Sequence, residues 1–202
     1  MYALVENNEI TKFINYPKSM VIGDVQYPAK IFQLWSTSEK EAKGIYEVVF
    51  DDSNKKDEQW YINTNQSFAF ADGAVTASYG TATPKAYADT LFTAQNETDG
   101  LGTEGEVATR GLKYNLIRDL KITVANILAE TDWYITRNTE KSIAIPSAIS
   151  THRDAVRTKQ AQMETAITNA SDTPALETLY TYTKDSDGVQ SRPLGKLPVL
   201  ES

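Results

Sequence analysis

The sequence predicts an α+β protein, a β-rich N-terminal module followed by a helical-hairpin C-terminal module. Short apolar runs broken by turn-forming pairs fill residues 1–84. Apolar residues at spacings of three and four recur in 112–128 and again in 149–167. Between the two patterns, apolar content falls while Asn, Thr, Gly, Asp and Glu accumulate. The expected division is a β module over 1–84, a linker over 85–106, a helical module over 107–183 and an extended tail over 184–202.

YALVENNEITKFIN reads as a hairpin around Asn7-Asn8, because asparagine accepts the left-handed conformation that tight hairpin turns need. SMVIGDVQYPAKIF repeats the design around Gly23-Asp24. Ser36 with Glu39 three residues later forms a capping box, opening a short helix that would end at Gly44. Ile45 to Phe50 reads as a strand and Asp51 to Glu58 as a polar loop. Two more strands are expected around Asp72-Gly73.

In the second half, Leu112, Leu116, Ile117, Leu120, Val124, Ile127 and Leu128 form one stripe of a 3.6-period helix. A helix from Glu106 to Glu130 would be about 37 Å long at 1.5 Å per residue. An aromatic-basic turn follows, then a second arm with Ile149, His152, Val156, Gln160, Met163 and Ile167 on its stripe. Pro146 and Ser147 suit its start. Each stripe needs a partner, and the nearest is the other arm. Asp172-Thr173-Pro174 then opens a short helix bearing Leu176, Leu179 and Tyr180.

Composition narrows the function. Of 202 residues, 41% are hydrophobic and 23% charged, the balance of a soluble globular chain. No apolar run approaches membrane-spanning length, and the N-terminus carries acids where a signal peptide carries bases. Without cysteine, a thiolate zinc site or thiol nucleophile is impossible. Net charge is −7, all of it in residues 1–105, where 15 acids face 8 bases. Residues 106–202 hold 12 of each. Nucleic acid is therefore not an expected partner, and neither is a membrane.

Several motifs yield to simpler readings. Gly100-Leu101-Gly102-Thr103-Glu104-Gly105 matches G-x-G-x-x-G, but acidic residues and no strand precede it, so it reads as linker. His152-Arg153-Asp154 lacks the Asn of a kinase catalytic loop, since position 159 is Lys159. The acidic pairs Asp51-Asp52 and Asp57-Glu58, and the run Asp185-Ser186-Asp187, read as solvated turns. No catalytic residue, metal site or cofactor is expected. One histidine and no cysteine leave only carboxylate, serine or lysine chemistry to an enzyme, which is the third reading.

What survives is Trp133, Tyr134, Arg137, Arg153 and Arg157. Large amphipathic rings beside arginines either plug a turn or anchor a protein interface, and both uses draw on the same residue types. Arg153 and Arg157 are i,i+4 neighbours placed to reach back to Glu130, Asp132 or Glu140.

The run Asp132-Trp133-Tyr134, with Arg137, Glu140, Ile145-Pro146, Arg153, Val156 and Arg157, resembles the C-terminal region of bacteriophage tail-fibre assembly proteins. Met1-Tyr2-Ala3, Tyr27-Pro28-Ala29 and Gly44-Ile45-Tyr46-Glu47 are similar to stretches near the start of other phage proteins. The resemblance implies a non-enzymatic helper that binds the distal part of a trimeric tail fibre, aids its folding and sometimes stays as a cap. The expected partner is thus a phage tail-fibre or tail/baseplate protein, met in the host cytoplasm during assembly. Permanent residence in the virion tail or baseplate is the alternative, and oligomeric state is left open.

Overall fold

A computed structural model describes residues 1–200. The chain divides into two compact units, Met1–Thr83 and Pro84–Ser202. The first is strand-rich and the second carries the long helices.

In the first unit, β1 (Tyr2–Glu6) and β2 (Glu9–Ile14) form the expected hairpin. Asn7 and Asn8 both take positive φ, 52° and 66°, as a two-residue turn of the I′ kind requires. β3 (Met20–Ile22) and β4 (Val25–Tyr27) pair across Gly23, whose φ is 57°. The apolar run beyond β4 is not strand. Ile31 and Phe32 turn inward on a single helical turn, α1 (Ile31–Leu34), and are buried.

Ser36 caps α2 (Thr37–Glu41) through the predicted box, and Gly44 follows with φ 76°. A side chain at Gly44 would strike the carbonyl oxygen of Val5, so this position needs glycine twice over. β5 (Ile45–Asp51), the short β6 (Tyr61–Ile62), β7 (Ser67–Ala71) and β8 (Ala74–Ser78) complete the unit. Asp72 and Gly73 make the second turn of the I′ kind, with φ of 51° and 75°. The main sheet runs β2-β1-β5-β8-β7, antiparallel except for the parallel pair β5–β8.

Alternation along β1 sorts its side chains between the two faces. Leu4 joins Ile14, Met20, Ile31, Phe32 and Ile45 on one face, where α1 and the β3–β4 hairpin supply the cover. Ala3 and Val5 join Val48, Val75 and Ala77 on the other, with Tyr46, Phe68 and Phe70 packed beside them.

The stretch expected to be a linker is folded. After β9 (Thr83–Pro84) come β10 (Thr90–Leu91), α3 (Ala94–Thr98) and β11 (Val107–Thr109), with β10 pairing β11. Its polar residues are drawn into internal hydrogen bonds: Thr93 and Asn96 form a capping box, and Asp89 accepts from Gly111 N at 2.8 Å and from the Arg110 guanidinium at 2.6 Å. This overturns the helix start as well. Residues 107–109 are strand, and α4 runs Leu112–Ala129 from the cap Gly111. Two of its first-turn donors, Leu112 N and Lys113 N, find the carbonyls of Ala86 and Tyr87.

α4 packs along α6 (Ser147–Asn169), the antiparallel pair the two stripes imply. Leu120 and Val124 face inward from α4, and Ile149, Val156, Met163 and Ile167 from α6. Between them the expected turn is itself a helix, α5 (Asp132–Lys141), stopped by Ser142 at φ 55°. Asp132 in its first turn suits the positive end of the helix dipole. Asp172 caps α7 (Thr173–Tyr180) through Ala175 N at 2.8 Å.

The tail is also folded. β12 (Thr183–Lys184) and β13 (Gln190–Ser191) pair, and Leu194 is only 2% exposed. Its N–H donates to the Leu179 carbonyl at 3.0 Å, tying the C-terminal segment to the end of α7.

Candidate functional site

α5 gathers three of the five residues singled out by sequence. Trp133 and Tyr134 stack with ring centroids 3.8 Å apart and 33° between planes. Arg137 lies one turn on, so helical spacing brings its guanidinium over both rings, 4.5 Å from Trp133 and 5.4 Å from Tyr134. Trp133 is 51% exposed, Tyr134 is half-buried, and the Nε of Arg137 is buried without a hydrogen-bond partner. The three make an aromatic and cationic platform with Trp133 exposed and Tyr134 and Arg137 half-buried.

Arg153 reaches back to Asp132, as its position on the second arm allows, but from a buried site and not from a contact surface. It is 6% exposed and lies on the buried side of α6, where the sequence placed His152; His152 itself is half-buried. One terminal nitrogen donates to the Leu128 carbonyl and to Thr131 Oγ1, both at 2.7 Å; the other donates to Asp132 Oδ1 at 2.8 Å. It therefore adds a charged donor to a carbonyl at the end of α4, which also accepts from Thr131 N and Oγ1 at 3.1 Å each, and holds the first residue of α5. A side chain so enclosed is not a surface contact. Arg157 is exposed and pairs with Asp154 at 3.4 Å; among the described residues it has no ion pair with Glu130, Asp132 or Glu140.

Thr131, 5% exposed and bound to Arg153, escaped sequence reading. A threonine between two helices carries no pattern until its partner 22 residues on is known. Also missed was a second apolar face on α4. Tyr114, Ile117, Ile122 and Ala125, flanked by Arg118 and Lys121, line an open groove of about 490 Å³. Ile117, assigned by spacing to the inward stripe, borders this groove.

The remaining motifs resolve into local structure. The glycine run follows α3, not a strand; Gly100 and Gly105 take positive φ, and Gly102 packs on the Phe92 ring. Asp51, Asp57 and Asp185 accept backbone N–H groups two residues on, as turn carboxylates do. Among the described residues no cluster of three metal-ligating side chains occurs, and no helix is long and apolar enough to cross a membrane.

Comparison with family models, with curated proteins and with solved structures returns no match to this chain.

Proposed function

We propose that this protein acts in bacteriophage tail-fibre assembly or attachment, by binding a fibre or tail subunit through the platform on α5. The observation that carries the reading is a half-exposed tryptophan, stacked on tyrosine and covered by arginine. Binding hot spots favour these three residue types, because each offers a broad apolar surface with a polar edge. Arg153 adds preorganisation: pinned to Leu128, Thr131 and Asp132, it holds α5 before any partner arrives. Less ordering entropy is then lost on binding.

The resemblance of residues 132–157 to tail-fibre assembly proteins supplies the class of partner. Fibre subunits expose strand edges and apolar surface before they trimerise, which invites aggregation. A platform of this chemistry covers such surface without turning anything over.

The test is co-expression with the tail-fibre subunit, then affinity capture of either chain. Co-purification that Trp133→Ala abolishes is expected. Recovery of the fibre in soluble trimeric form without this protein, and no complex in its presence, would refute the proposal. Mass analysis of purified particles then separates a transient helper from a retained tail component.

A further inference from the structure

A second cavity lies wholly within the helical unit, between α4, α6, the end of α7 and the returning C-terminal segment. Its volume, about 350 Å³, falls within the range of small-molecule sites. Leu116, Leu120, Met163 and Leu197 give it an apolar floor, and Thr123 and Tyr180 also line it, the Thr123 hydroxyl donating to the Asp119 carbonyl at 2.9 Å.

Two cations edge it. The Arg192 guanidinium stands 5.2 Å from the ring centroids of both Tyr180 and Tyr182, with its Nε bound to the Gly195 carbonyl at 3.0 Å. The Lys196 ammonium lies over the same Tyr182 ring at 5.6 Å. Neither cation has a carboxylate within ion-pair distance among the described residues. Asp119, the one acid on the lining, has a single carboxylate oxygen, Oδ1, bonded by Arg118 at 3.0 and 2.8 Å. Two like charges thus lie against one tyrosine ring and line one largely apolar cavity. An anion placed there gains the attraction of both cations, and its apolar part displaces water from the floor.

We infer that this cavity binds a small amphiphilic anion, its apolar body on Leu116, Leu120 and Met163 and its carboxylate-type head against Arg192 and Lys196. This is separate from the α5 platform and does not depend on the proposed function.

Octanoate, octanol and acetate serve as probes of head and body together, body alone and head alone. Each is titrated into the full chain by calorimetry, and the methyl resonances of the 3 methionines are followed by NMR. Octanoate should bind about tenfold or more tightly than octanol or acetate, as a charge-assisted contact of about 1.5–3 kcal/mol implies. It should move the Met163 methyl and leave Met20, in the other unit, in place. Lys196→Gln, which removes no hydrogen bond, should weaken octanoate and leave octanol unchanged. Arg192→Gln combined with it should bring octanoate down to the affinity of octanol. Equal binding of octanol, equal binding of acetate, an unmoved Met163 methyl, insensitivity to both substitutions, or no octanoate binding would each overturn the assignment.

Discussion

Arg153 reaches from α6 to the Leu128 carbonyl at the end of α4, 2.7 Å from nitrogen to oxygen. That bond, with those to Thr131 and Asp132, makes one buried side chain the junction of three helices.

Replacing Arg153 with alanine removes a charged donor from the Leu128 carbonyl, the Thr131 hydroxyl and the Asp132 carboxylate, and leaves only the Thr131 N–H and hydroxyl bonds to the Leu128 carbonyl at the junction. The expected loss is about 2 kcal/mol, within the roughly 1.5–3 of hydrogen bonds to a charged group, since the Asp132 carboxylate is exposed and only the guanidinium is buried. Lysine should recover little, because it lacks the fork that serves several acceptors at once. Urea unfolding measures both. A loss under about 1 kcal/mol for the alanine variant would remove Arg153 from this role.

Trp133→Ala should separate binding from stability. With half its surface in solvent, Trp133 should cost about 1 kcal/mol or less on truncation, well below the 3–5 typical of a core aromatic. Capture of the fibre subunit should fall tenfold or more, about the 1.4 kcal/mol or above expected of a hot spot. A large fall in melting temperature would mean that the ring supports the fold.

Gly44 and Gly73 share a positive φ but not a neighbourhood. A Cβ at Gly44 meets the Val5 backbone, whereas at Gly73 nothing lies within 4 Å. Gly44→Ala should destabilise by about 2 kcal/mol or more, from backbone strain and the clash together. Gly73→Asn should cost about 1 kcal/mol or less, since asparagine tolerates the left-handed region. Thermal unfolding of the two variants ranks them, and equal losses would contradict the close approach at Gly44.

Asp89 ties the folded inter-module stretch to the start of α4. The Gly111 N–H, first, and the Arg110 guanidinium hold its carboxyl below the ordinary value of 3.8. Its contribution to stability is therefore present above that value and is lost as pH falls through the lower folded one. Asp89→Asn should be less stable than the parent at neutral pH, and the gap should close as acid protonates Asp89. Denaturant unfolding at stepwise lower pH follows it; a gap that stays constant would exclude the linkage.

Much of the local structure was legible because its causes are local. Asn7-Asn8 and Asp72-Gly73 turn the chain through their own φ preferences. Ser36 and Asp172 cap helices by bonding N–H groups three residues ahead. The stripes on α4 and α6 announce a mutual burial that the hairpin satisfies. Trp133, Tyr134 and Arg137 come together because one helical turn suffices.

The rest needed the whole chain. The polar composition over 85–106 reads as a linker because Asp89 shows its value only once Gly111 N, 22 residues on, stands opposite it; the Thr93–Asn96 cap in the same stretch is local. The tail folds because Leu194 finds Leu179, and the parallel β5–β8 pairing joins strands that no turn connects. Spacing leaves Arg153 equally able to meet a partner or to reach back to Asp132, and it is a buried clasp, since only tertiary packing puts three oxygen atoms around its guanidinium. Turn geometry, caps and helical periodicity act over a few residues and can be read from sequence. Burial, long-range pairing and the partner of a charge depend on residues far along the chain, and only the packed structure decides them.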